Sequence, residues 1–210
     1  GTVFTGATDP RMSRILAPSI GLSETAPASA ANPDPTKYTF VGNPLNVTAS
    51  STAGPSRIPN LWGTFVAGTV TTPGRYIFRD KANFPLMTYA EIQFIKAEAA
   101  FIKGDKAMAL AAYKKGIDAS IDFVNSNTVV STTYPITTTI TASEKTAFLA
   151  NVNVVPAEAN LTMSHIILQK YISLFGFGNL EAWTDMRKYH YDNINIYKTM
   201  NIPRSEEHTS

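Results

Sequence analysis

Two sets of residues in this chain are of types that do chemistry: the carboxylates Glu91 and Glu98, and the aromatic and guanidinium groups around Trp62. Paired carboxylates cleave glycosidic bonds, one as acid and the other as base or nucleophile. On a helix, Glu91 and Glu98 fall two turns apart, roughly 10 Å, beyond the roughly 6.5–9.5 Å of an inverting pair. They are therefore expected to be half-buried structural acids held by cations, with Arg187 the preferred partner and Lys170 the alternative. Trp62 stands in a Pro/Gly-rich stretch with Asn60, Arg57, Arg75 and Tyr76. An aromatic face stacks on the C–H face of a sugar, while Arg and Asn donate hydrogen bonds to hydroxyls. These five residues thus form a candidate glycan platform, the competing reading being that Trp62 packs loops onto helices. His165 and His190 are far apart, and His165 reads as a hydrogen-bonded helix residue, so no metal site is expected. Phosphate-cradling, dinucleotide, nucleophile-elbow and zinc-protease motifs are absent, and no cofactor or catalytic residue is expected.

The elements that must position these residues divide near Pro85. Residues 1–85 hold ten of the 13 prolines, with Gly, Ser, Thr and Asn clusters between short apolar runs. The stretch 18–35 has too little apolar content for a core element and reads as a long exposed loop. Residues 38–41, 60–66 and 75–78 are short strand candidates bounded by turn residues. Beyond Pro85 the chain is helical. In 88–103, Glu91, Ile95, Glu98 and Ile102 share one face, with Gln93, Lys96 and Lys103 opposite. In 106–124, Leu110, Tyr113, Ile117, Ile121 and Val124 form an apolar stripe, and Lys114, Asp118 and Asp122 line the outer face. Thr141 and Glu144 have capping-box spacing and open a short helix to about Ala150. Thr162 can cap a largely apolar helix over 165–175, expected to be buried on most sides. A last short helix starts at Asn179 and carries Trp183, expected in the core, to about Lys188.

Composition sets the outer bounds. Charged residues are only 16% and the net charge is +2, too small to point to nucleic acid. No run reaches the 18 or so apolar residues that span a membrane. With no cysteine, a disulfide scaffold, a Cys zinc site and a Cys nucleophile are excluded, though the compartment stays open. These facts favour a binding protein over an enzyme.

The helix pair carries a repeat signature. Ala97, Ala100, Phe101, Gly104, Asp105, Ala109, Tyr113 and Gly116 fall where a tetratricopeptide (TPR) unit places its small and large residues. Small residues let two antiparallel helices approach closely, and Tyr113 fills the space between them. Gly104-Asp105 makes the turn, with Asp105 as N-cap of the second helix. The chain has no second copy, and a lone unit cannot bury its apolar face. The expected fold is mainly α: a TPR-like helix pair plus C-terminal helices, with a loop-rich, minor-β N-terminal region.

The segment FPLMTYAEIQFIKAEAAFIKGDKAMALAAYKKGIDAS (84–120) resembles the fourth TPR region of the SusD/RagB family. ILQKYISLFGFGNLEAWTDMRKY (167–189) resembles that family's downstream motif, with Trp183, Asp185 and Arg187 at its characteristic positions. Asp9-Pro10-Arg11-Met12 looks like its DPR segment upstream. The family often has two arginines where this chain has Arg187-Lys188, and 18–74 matches nothing in the pattern.

The resemblance implies residues 1–203 as the C-terminal part of one SusD-like domain. It also implies an outer-membrane, cell-surface lipoprotein of Bacteroidota, serving polysaccharide utilization. Such a protein binds an oligosaccharide or peptide without cleaving it and delivers it to a SusC-like TonB-dependent porin. It meets the membrane only through an N-terminal lipid anchor outside this stretch. The alternatives are a TPR-type protein–protein interaction scaffold and a secreted glycan-active enzyme. Residues 204–210, read as AGA TCG GAA GAG CAC ACG TCT, look like translated sequencing-adapter read-through and carry no expected fold, so His208 is not counted as a ligand.

Overall fold

The computed structural model describes residues 8–16, 65–66, 69–70, 75–79, 81–132 and 136–190. They form α1 (Met12–Ile15), β1 (Phe65–Val66), β2 (Thr69–Val70), α2 (Tyr89–Ile102), α3 (Lys106–Asn127), α4 (Ala142–Ala150), α5 (Met163–Ser173) and α6 (Asn179–Lys188). The strands pair antiparallel, Phe65 with Val70 and Val66 with Thr69. The fold is mainly helical. Two compact units divide it: the described residues within Thr8–Asn83 and Phe123–Glu144, and those within Phe84–Asp122 and Lys145–Ser210. Helices α3 and α4 contribute residues to both.

In the second unit, α2 begins where Thr88 accepts the Glu91 N–H at 3.2 Å. It ends in a turn built on Gly104, whose φ of +87° is the left-handed conformation glycine tolerates. The Gly104 N–H bonds the Phe101 carbonyl and the Asp105 N–H that of Ala100, the two bonds of a Schellman motif. Asp105 then caps α3 by accepting the Met108 N–H at 2.9 Å. The chain thus reverses, and Phe94 of α2 meets Tyr113 of α3 edge to face, ring centroids 6.2 Å apart. Gly116 makes room for that ring: a Cβ there would lie 2.7 Å from Phe94. Phe94, Ala97, Ala109 and Ile117 are fully buried, and Tyr113 donates its hydroxyl to the Val154 carbonyl at 2.6 Å. The two helices meet through Phe94 and Tyr113, with Gly116 giving the close approach.

Helix α5 packs against α2 and α6. Its residues 166–170 are all buried, so it is covered on nearly every side, as its composition predicts. Gly176, at φ +91°, turns the chain into α6. The acids of α2 face inward while Ile95 and Ile102 do not: those two are 43% and 65% exposed, and Gln93 is buried. The expected face was therefore about a quarter-turn out. The two acids enter the interior here, and the isoleucines border it. On the outer side of α3, Lys145 of α4 bridges Asp118 and Asp122, each at 2.7 Å.

In the first unit, Arg11 is buried and forks onto Asp9, with Nε to Oδ1 at 2.9 Å and Nη2 to Oδ2 at 2.6 Å. Arg14 reaches Glu144 at 2.9 Å and the carbonyls of Thr138 and Thr139. Glu144 itself closes the expected capping box, accepting the Thr141 N–H at 2.8 Å. Asn125 pairs with both polar groups of Ile140, as a strand neighbour would.

The run 75–78 is not a strand. Residues Tyr76–Phe78 form a single 3-10 turn, with Tyr76 at φ +57° and the Phe78 N–H on the Arg75 carbonyl. Side-chain burial outweighs local strand propensity here: Tyr76 is 2% exposed and stands edge-on to Phe123.

Candidate functional site

Of the five platform residues, Arg57, Asn60 and Trp62 lie outside the described residues. Arg75 and Tyr76 are buried. Arg75 donates from Nη1 to the Ser13 carbonyl at 3.2 Å, tying its segment to α1. Burial pushes the Tyr76 phenol well above its ordinary value, against the opposing charge of Arg11.

The sequence motifs converge instead on a cluster of charges inside the second unit. Glu98 of α2 accepts from Lys188 of α6 at 2.5 Å and from the Tyr189 hydroxyl. Lys170 of α5 contacts Asp185 of α6 at 2.7 Å, both largely buried. Glu91 of α2 is buried too, yet it joins no ion pair among the described residues; it feels Lys170 only at a distance, together with Glu181 and Asp185. The expected ion pair of a buried acid exists at Glu98, with the half-exposed Lys188 rather than Arg187 as the cation.

Helical phase explains the exchange. Lys188 sits about 100° around α6 from Arg187 and faces α2. Arg187, four residues after Trp183, lies over its ring at 4.7 Å from the centroid. Trp183 is 50% exposed, so its expected place in the core is corrected as well. Asp185, on the opposite face of α6, is the residue of this motif that enters the interior.

Each carboxyl responds to its surroundings. Burial alone would raise Glu98; the hydrogen bonds from Lys188 and Tyr189 overcome it and leave the group below its ordinary value. Asp185 is raised, burial outweighing the bond and charge from Lys170. Glu91 is raised by burial first, with Glu181 and Asp185 adding repulsion. Glu98 is thus a fixed acceptor, and Glu91 and Asp185 are the acids that resist ionisation.

The linkage signs are opposite. The Glu98 contribution is present above its unfolded value of about 4.5 and lost as pH falls through the lower folded value. The Glu91 contribution is present below that unfolded value and lost as pH rises through the higher folded one. Glu91→Gln is therefore expected to raise the melting temperature at pH 8 and change little at pH 4. Equal effects at both pH values would show that Glu91 ionises freely.

This cluster fastens helices. Glu98 turns its oxygen to the half-exposed Lys188 and to Tyr189, spanning α2–α6, and Asp185 turns to the buried Lys170, spanning α5–α6. Among the described residues no group of three or more His, Asp or Glu is placed to hold a metal, and no helix is long and apolar enough to cross a membrane. Gly104, Asp105 and Tyr113 have the structural roles their spacing predicts.

No curated protein and no solved structure matches the chain. The sequence pattern of the SusD-like family, described as starch-binding and associating with the outer membrane, matches residues 5–207. That match includes the DPR segment at Arg11, the hairpin around Gly104 and the charge cluster of Glu98, Lys170 and Asp185. The chain belongs to the SusD-like family of starch-binding, outer-membrane-associated proteins.

Proposed function

We propose that this chain is part of a cell-surface lipoprotein that captures an oligosaccharide, or a peptide, and passes it to a SusC-like TonB-dependent porin without cleaving it. The observation that carries this reading is the family match over residues 5–207. The interior chemistry supports it: Glu98 and Asp185, acids a glycosidase would aim at a substrate, are each held by a lysine of the same unit. The ligand surface is assigned to the loop-rich part, within 38–80, with Trp62 as stacking face and Asn60 and Arg57 as donors.

The test is calorimetry of the protein against a panel of starch-derived, xylan-derived and pectin-derived oligosaccharides. One member of the panel is expected to bind, and Trp62→Ala is expected to weaken it by about tenfold or more, roughly 1.4 kcal/mol. Unchanged affinity would remove Trp62 from the site. Hydrolysis abolished by Glu91→Gln or Glu98→Gln would overturn the binding-only reading. A TPR-type interaction scaffold is the second reading, favoured by α2, where Ile92, Ile95 and Ile102 are 46%, 43% and 65% exposed. A folded protein with no affinity for any member of the panel would favour it.

A further inference from the structure

Helix α5 is capped in an unusual chemical form. Thr162 accepts the His165 N–H on Oγ1 at 3.4 Å, and the Thr162 N–H is turned back onto Nδ1 of His165 at 3.3 Å. Oγ1 and Nδ1 are themselves 2.6 Å apart. This is a reciprocal capping box in which the third helical residue is histidine. The position is ordinarily held by Glu or Gln, whose oxygen remains an acceptor in the neutral range. Imidazole accepts on Nδ1 only while that nitrogen is unprotonated, so the box requires the neutral ring with its hydrogen on Nε2.

We propose that the Thr162–His165 box is a pH-sensitive latch on α5, closed when His165 is neutral and released when it is protonated. Two effects act together on protonation. The Thr162 N–H faces a new N–H and loses its acceptor, although the contact between Nδ1 and Oγ1 can reverse. The imidazolium also places positive charge in the first turn of a helix, where the macrodipole disfavours it.

What the latch holds follows from the helices around it. Helix α5 carries Lys170, the partner of Asp185, and packs against α2 and α6. Freeing its first turn loosens the helix that joins the other two.

The charged groups on the neighbouring helices act elsewhere. Glu91 and Glu98 of α2 and Glu181, Asp185 and Lys188 of α6 interact with one another or with Lys170. Lys170 is five residues beyond His165, roughly 7.5 Å along the axis. Burial is the influence on His165 itself, and it holds the ring below its ordinary value. The sign follows: the stability of the closed latch is present above about pH 6.5 and is lost as pH falls through the lower folded value. Glu91 and Asp185 move stability the other way over acidic pH, so the latch must be read by difference.

The experiment is thermal melting of the full chain from pH 8 to pH 5, as wild type, His165→Gln and His165→Ala, with an NMR titration of the His165 ring. Glutamine keeps the box but does not titrate in this range. Relative to His165→Gln, the wild type is expected to lose about 2–4 °C between pH 7.5 and pH 5. His165→Ala should melt lower than His165→Gln at both ends. The ring should titrate below 6.5, with its hydrogen on Nε2 at pH 8. Identical pH profiles for wild type and His165→Gln would overturn the proposal, as would a ring that carries its hydrogen on Nδ1.

Discussion

Phe94→Ala is expected to cost about 3–5 kcal/mol of unfolding free energy in urea, the largest effect of any single truncation in the α2–α3 hairpin. The ring is fully buried, stands against Tyr113 and occupies the space that Gly116 leaves open. Its removal leaves a cavity bounded by two rigid helices, which can collapse only partly. Gly116→Ala is the reciprocal lesion, because its methyl would begin 2.7 Å from the ring. The two should not add. In a Phe94→Leu background, Gly116→Ala is expected to be better tolerated than in wild type, and additive costs would show that the ring and the glycine are not in contact.

The second large effect concerns Lys170 and Asp185. Lys170→Met is expected to destabilise by about 3–5 kcal/mol, because it leaves Asp185 buried without its cation. The loss should shrink as pH falls, since Asp185 then protonates and no longer needs a partner. The double variant Lys170→Met, Asp185→Leu is expected to recover most of the stability, as apolar side chains of similar volume often replace a buried pair without loss. Chemical denaturation of the single and double variants checks this. Recovery by the double variant would establish that the pair sets the geometry of α5 and α6 more than it sets their stability. A double variant as weak as the single one would mean that the charges themselves hold the junction.

What the sequence made legible was local. Asp105, Thr141 and Thr162 announce helix starts through side-chain oxygens that act within three residues, and all three do so in the structure. Gly104-Asp105 announces the hairpin for the same reason. The faces of α2 were not legible. Periodicity places Glu91, Ile95, Glu98 and Ile102 on one stripe, but which edge of it turns inward depends on α5 and α6, far along the chain. Lys188 and Tyr189 supply the groups that let Glu98 enter the interior, and nothing near Glu98 in sequence signals them. The same phase decided between Arg187 and Lys188, and sent Trp183 outward under a guanidinium. At 75–78 the β-prone Tyr-Ile-Phe run suggested a strand. Burial of Tyr76 against Phe123 fixed a turn instead.

The bonds that Glu98 makes join residues 90 and 91 positions apart along the chain, whereas the hairpin turn joins neighbours. Closing a long loop costs entropy before any contact rewards it, so the two features belong to different moments of folding. The contacts of the α2–α3 turn are local and need no distant segment, whereas those of Glu98 do. The acid is withdrawn from water only when α6 arrives with its lysine and tyrosine. Withdrawing Glu98 from water is thus expected to be a late event, one that waits for the C-terminal helices.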